Sequence, residues 1–120
     1  MNNGDDTSSD FDDRMATVSA SYREKLTTIL KDLIALQDKA LSQDGLVSVA
    51  DPLRDIAHRL AGSAGLFGFS AVGEAADCVE GALHAARQAE FDKPLSEDVL
   101  ADLNKLLDAL RTAIGPDSSR

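Results

Sequence analysis

The sequence is poor in the features that mark secreted, membrane-spanning or nucleic-acid-binding proteins. It has no tryptophan, one tyrosine and one cysteine, so no internal disulfide can form and a reducing compartment is favoured. No apolar run approaches the about 18 residues that a membrane span needs, and the N-terminus lacks the basic and apolar regions of a secretory signal. The formal net charge of −9 argues against binding to nucleic acid or to anionic membranes. We therefore expect a cytoplasmic protein.

What the sequence does contain is leucine, alanine, valine and isoleucine at helical spacing. Its 120 residues, 43% of them hydrophobic, are enough for one domain with one modest core. Apolar residues recur three and four positions apart in four segments, and no segment alternates as a half-buried strand would. The pattern predicts an all-α fold, an antiparallel up-down-up-down four-helix bundle with short loops.

Composition and turn residues predict the limits of this bundle. Residues 1–16 are acidic and almost free of apolar residues, which predicts a disordered or short-helical tail. The bundle would then occupy residues 17–115, with a C-terminal tail at 116–120. The first helix is expected from Ser19 or Ala20 to Ser42. The residues expected to cap the N-termini of the other helices are Asp51, Ser70 and Ser96.

The most informative stretch is the second predicted helix, which carries His58. Its apolar stripe consists of Leu53, Ile56, Ala57, Leu60, Ala64 and Phe67. At about 100° per residue, His58 points about 150° away from the centre of that stripe, towards solvent. Gly62 and Gly65 fall on the same side, although a glycine inside a helix costs about 1 kcal/mol relative to alanine. This pattern indicates that another protein's backbone approaches the imidazole closely.

The stretch resembles the motif of the histidine-containing phosphotransfer (Hpt) domain, His-x-Leu-Lys-Gly-Ser with a further glycine ten residues after the histidine. The matching positions here are His58, Leu60, Gly62, Ser63 and Gly68. One position departs from the motif, because the usual lysine three residues after the histidine is Ala61. Arg54, one turn before His58 on the same face, could supply the missing charge. Arg59 lies about 100° further round the helix and is the weaker substitute.

The resemblance implies a stand-alone phosphorelay carrier. His58 would accept a phosphoryl group on Nε2 from the phospho-aspartate of one receiver domain and pass it to another. The implied partners are response-regulator receiver domains, a hybrid histidine kinase, or both; the chain itself is expected to be a monomer. It would have no ATP site, no enzyme activity of its own and no cofactor, with Mg²⁺ held by the partner receiver. The expected docking face consists of Ala61, Gly62, Gly65 and Leu66, with Arg54 and Arg59 at its rim.

Other interpretations of these residues stay open. His58 could be an exposed histidine with no task, or the Gly/Ala face around it could belong to a non-catalytic four-helix adaptor that binds partner proteins. A third possibility is the phosphotransfer part of a chemotaxis-type kinase. The lack of any attached kinase segment argues against it. Asp55-x-x-His58 superficially resembles half of a di-iron motif, but no second copy exists and we expect no metal site.

Four residues are expected to have structural or no special roles. Ser63 lies near the edge of the buried stripe, and its hydroxyl is expected to bond to the backbone one turn earlier. Gly68 is expected to end the second helix in a left-handed conformation. His84 is expected on the surface, and Cys78 is expected to be a partly buried small residue.

Overall fold

Four antiparallel helices make up the fold. A computed structural model describes residues 3–115, with side chains from residue 20 onwards. Helix α1 spans Asn3–Ala40, α2 spans Ala50–Ser63, α3 spans Ser70–Gln88 and α4 spans Lys93–Ile114. Short 3₁₀ turns at Leu46–Val49 and Ala64–Phe67 flank α2, and no strand occurs between residues 3 and 115. The predicted up-down-up-down four-helix bundle is confirmed.

Helix α1 differs from its predicted limits at both ends. It begins at Asn3 rather than near Ser19, and it ends at Ala40 rather than Ser42. Residues 3–16, expected to be a disordered or short-helical tail, are thus continuous with the helix. Adding one more residue to an existing helix costs little, because only nucleation is expensive. The predicted domain boundary at residue 16 stays a prediction; residues 1, 2 and 116–120 lie outside the described part of the chain.

The predicted N-caps of the other three helices are all wrong. The N-caps are Val49 for α2, Phe69 for α3 and Asp92 for α4. The Asp92 carboxylate accepts a hydrogen bond from the amide of Leu95 at 3.0 Å, so α4 begins three residues before Ser96. Asp51 lies within the first turn of α2, and its carboxylate is instead bound by Arg87 of α3. Helix α2 instead continues directly from the 3₁₀ turn Leu46–Val49.

The core is built from aliphatic side chains on the inner faces of all four helices. The largest fully buried side chains are Leu26, Leu33, Leu53, Leu60, Leu103, Leu106, Leu107, Leu110, Val49, Val72, Val79 and Val99. Helix α3 packs along both α2 and α4, while α1 packs mainly on α4. No charged residue with a described side chain is buried. The charged residues are therefore displayed on the surface, where the site lies.

Candidate functional site around His58

His58 lies on the outer face of α2, as predicted. Its side chain is 69% exposed, while Leu53, Ala57 and Leu60 on the opposite face of the helix are buried. A ring held in this way by a rigid helix can be reached by another macromolecule. The bundle therefore presents the imidazole to solvent on a fixed support.

Glu80 of α3 holds the orientation of this ring. The Nδ1 atom of His58 lies 2.7 Å from Oε2 of Glu80. An ionised carboxylate can only accept hydrogen bonds, so Nδ1 carries the proton and donates it. In the neutral ring, Nε2 then keeps its lone pair and is the nucleophilic nitrogen. Only 24% of the Glu80 side chain is exposed, so the carboxylate is partly enclosed beside the ring.

Three contacts between α2 and α3 follow the same antiparallel register along the packed faces of the two helices. At one end, Arg87 donates to the Asp51 carboxylate at 2.7 Å. At the other end, a Cβ built on Gly73 would lie only 3.6 Å from the backbone nitrogen of Gly65. The His58–Glu80 hydrogen bond lies between these two contacts. These three contacts hold α2 and α3 side by side, with Glu80 within reach of the imidazole.

The surface that follows His58 along α2 consists mainly of small residues. Ala61 is half-buried, and Gly62 and Gly65 are exposed with open space where a Cβ would be. Leu66, in the 3₁₀ turn after α2, is 78% exposed. Ala61 and Gly65 line one shallow groove together. That these residues form a docking face stays a prediction.

The two arginines expected at the rim are exposed, and neither forms a hydrogen bond with the imidazole among the described side chains. The Nε atom of Arg59 donates to the backbone carbonyl of Asp55 at 3.4 Å. Among the side chains of residues 20–115, neither Arg54 nor Arg59 forms an ion pair. The residue that the structure brings to His58 is an acid, Glu80, and not a base. The substitution of Arg54 for the usual lysine stays a prediction.

A hydrogen-bonded chain links the end of α2 to α1. The Ser63 hydroxyl donates to the carbonyl of Arg59 at 2.8 Å, which confirms the predicted bond to the preceding turn. The Tyr22 hydroxyl, 2.8 Å away, then donates to Ser63 Oγ. The Tyr22 ring stacks on Phe67 with their centroids 4.3 Å apart. These contacts attach the end of α2, where the 3₁₀ turn begins, to α1.

The remaining expectations for single residues have mixed outcomes. Gly68 has φ 89° and ψ 11°, and the predicted left-handed end is confirmed, although it closes the 3₁₀ turn rather than α2 itself. His84 is exposed as expected. Cys78 is exposed and not partly buried, because its position on α3 faces neither α2 nor the core.

No group of three or more histidine, cysteine or acidic side chains among the described residues could hold a metal ion. No helix in this part of the chain is long and apolar enough to cross a membrane.

The structure thus presents a carboxylate-oriented imidazole and exposed glycines on the outer face of a helical bundle. The family model of the Hpt domain matches residues 18–113 of the 120-residue chain. The chain therefore belongs to the Hpt domain family, whose members are phosphotransfer carriers of two-component signalling. Comparisons with curated proteins and with solved structures returned no match.

Proposed function

We propose that His58 carries the phosphoryl group in a phosphorelay, taking it from the phospho-aspartate of one receiver domain and giving it to another. The observation that carries this proposal is the 2.7 Å bond from Nδ1 to Glu80, which leaves Nε2 as the free nucleophile on an exposed ring. The resemblance of the sequence around His58 to the family's motif supports the same residue.

The exchange needs no oxidant and no further reactant. The Nε2 lone pair attacks the phosphorus of the acyl phosphate, and the P–O bond to the aspartate breaks, so that the aspartate leaves as a carboxylate. The ring becomes positively charged with its proton still on Nδ1, where the negative Glu80 stabilises it. In the second half, a carboxylate oxygen of the next receiver attacks phosphorus. The electron pair of the N–P bond then returns to Nε2.

The partners of this exchange are response-regulator receivers, a hybrid histidine kinase, or both. We propose that the receiver supplies Mg²⁺ and the acidic pocket that polarises the phosphoryl group, and that this chain supplies only the imidazole and the docking face. On this view the chain is a carrier and not an enzyme, and it works in the cytoplasm. A transient contact of this kind fits a small interface, below about 1,200 Å² in total.

The test is phosphate uptake from phosphorylated receivers by the wild type, His58→Gln and His84→Gln. His58→Gln should fold normally, because the position is exposed, and should take up no acid-labile, base-stable phosphate. His84→Gln is the matched control on α3 and should take up phosphate as the wild type does. Full labelling of His58→Gln would overturn the proposal, and the absence of any uptake by the wild type would favour a non-catalytic adaptor.

A further inference from the structure

The regular path of α2 ends at Ser63. The backbone of this residue has φ −119° and ψ −31°, and the 3₁₀ turn Ala64–Phe67 follows it directly. An α-helical residue has φ of about −63°. The Ser63 hydroxyl donates to the carbonyl of Arg59, a bond to the preceding turn that often accompanies a bend in a helix. The residues after Ser63 therefore do not continue the α-helical path of the segment that carries His58.

The 3₁₀ turn carries two residues of the expected docking face, Gly65 and Leu66. The other two members of that face, Ala61 and Gly62, belong to α2. Because these other members are alanine and glycine, Leu66 provides the largest apolar side chain of the face, and it is 78% exposed. The position of the turn relative to α2 thus decides where this side chain stands with respect to His58.

Tyr22 of α1 contacts the chain on both sides of Gly65 and Leu66. Its side chain is buried, and its hydroxyl donates to Ser63 Oγ at 2.8 Å, just before the turn. Its ring stacks on Phe67, the last residue of the turn, with the centroids 4.3 Å apart and the planes within 17° of each other. One side chain of α1 therefore restrains the turn at its start and at its end.

We infer that Tyr22 is a positioning residue for phosphotransfer, which holds the turn so that Leu66 meets the receiver in a fixed place relative to His58. The inference rests on the proposed function and adds a residue of α1 to it. Tyr22 acts through Ser63 and Phe67 and not on the imidazole. A turn that is already held in place need not be ordered when the receiver binds, so less free energy is lost on docking. Tyr22 should therefore affect binding of the receiver and not the transfer step.

The test removes one interhelical hydrogen bond at each of two places on α1. Tyr22→Phe loses the bond to Ser63 and keeps the stacked ring. Gln37→Met is the matched control, because Gln37 donates to Asn104 of α4 at 2.6 Å, about four turns further along α1. Transfer from phosphorylated receivers of the same organism gives KM and kcat separately. Tyr22→Phe should raise KM by about three- to fivefold with kcat changed by less than about twofold, and Gln37→Met should leave both unchanged.

A double-mutant cycle with Leu66 distinguishes positioning from a general loss of stability. Leu66→Ala should itself raise KM. Adding Tyr22→Phe to it should raise KM little further, because the side chain that Tyr22 positions is then absent. The amide chemical shifts of Gly65 and Leu66 should also change in Tyr22→Phe and stay as in the wild type in Gln37→Met.

Two results would overturn this inference and leave the proposed function intact. The first is an unchanged KM for Tyr22→Phe together with normal phosphate uptake by the wild type. The second is a double variant whose KM rises by the full product of the two single effects, since Tyr22 would then act independently of Leu66. If the wild type takes up phosphate from no receiver, the proposed function fails and this inference fails with it.

Discussion

The imidazole of His58 and the carboxylate of Glu80 meet at 2.7 Å across two antiparallel helices, from positions 22 residues apart in the chain. The contact sets the tautomer of the ring and places a negative charge beside Nδ1, which in the proposed function is the nitrogen that does not take the phosphoryl group. Both effects favour a positively charged phosphoimidazole. Glu80 is therefore a positioning residue whose contribution can be separated into two parts.

Two substitutions of Glu80 separate its effect on the tautomer of His58 from the effect of its charge. In Glu80→Gln the amide oxygen can still accept the proton of Nδ1, so the tautomer is kept and only the charge is lost. In Glu80→Ala both are lost, and the rate of transfer to His58 should fall by about tenfold, with a smaller loss for Glu80→Gln. The ¹⁵N chemical shifts of the ring report the tautomer directly. A wild-type rate and tautomer in Glu80→Ala would contradict the assignment.

Arg54 is expected to assist the exchange from the helical turn before His58. Its guanidinium lies on the same face as His58, one turn earlier, and can approach a phosphoryl group on the ring. Arg54→Ala should slow transfer by about two- to fivefold, as suits an exposed charged contact. Arg59→Ala is the matched control, since Arg59 lies further round α2. Equal rates for the two variants would show that Arg54 has no special role.

Gly62 distinguishes a docking surface from a packing surface. It is an exposed helical residue with open space around the position of a Cβ. Gly62→Gln should raise the free energy of unfolding by about 0.5 kcal/mol and should impair transfer, because the new side chain stands between His58 and the receiver.

Gly81 of α3 provides the control for this experiment. It too is exposed and helical, with nothing within 4 Å of a Cβ, and it lines the cleft towards α4. Gly81→Gln should stabilise the protein to a similar degree and leave transfer unchanged. Thermal unfolding measures the first effect and receiver assays measure the second. A destabilised Gly62→Gln would mean that this face of α2 packs rather than docks.

The loop between α3 and α4 stores backbone strain. Glu90 and Phe91 have φ values of 55° and 59°, in the left-handed region that residues with a Cβ avoid. Glu90 is exposed, so Glu90→Gly should relieve the strain at little other cost and stabilise the protein by about 0.5 kcal/mol. Glu90→Ala removes the same charge without relieving the strain and should give no gain. Equal melting temperatures for the two variants would contradict this explanation.

Periodicity alone predicted the most important feature of the site, the outward orientation of His58. The apolar positions of α2 define its buried face, and the exposed face follows from the helical repeat. The helix starts were predicted less well. Helix α4 does begin at a local cap, but that cap is Asp92 and not Ser96. Asp51 has the chemistry of a cap, but Arg87 binds its carboxylate and the helix starts before it.

The sequence analysis did not predict the contact of Glu80 with His58, because that contact depends on the register between α2 and α3. A signal was nevertheless present, since residues equally distant from a tight turn face each other in a helical hairpin. His58 precedes Phe69 by as many residues as Glu80 follows it. The contact of Gly73 with the Gly65 backbone was not predicted for a related reason, because only the packing shows which residues of α3 face the end of α2.

The position of Tyr22 has a practical consequence. It is the only tyrosine of a chain without tryptophan, so near-ultraviolet emission of the whole protein comes from this one phenol. The phenol is hydrogen-bonded to Ser63 and stacked on Phe67, at the end of the helix that carries His58. Tyrosine emission responds to the hydrogen bond of its hydroxyl and to neighbouring groups. The chain thus contains one intrinsic fluorophore near the expected docking face, and binding of a receiver that has neither tryptophan nor tyrosine can be followed without any label.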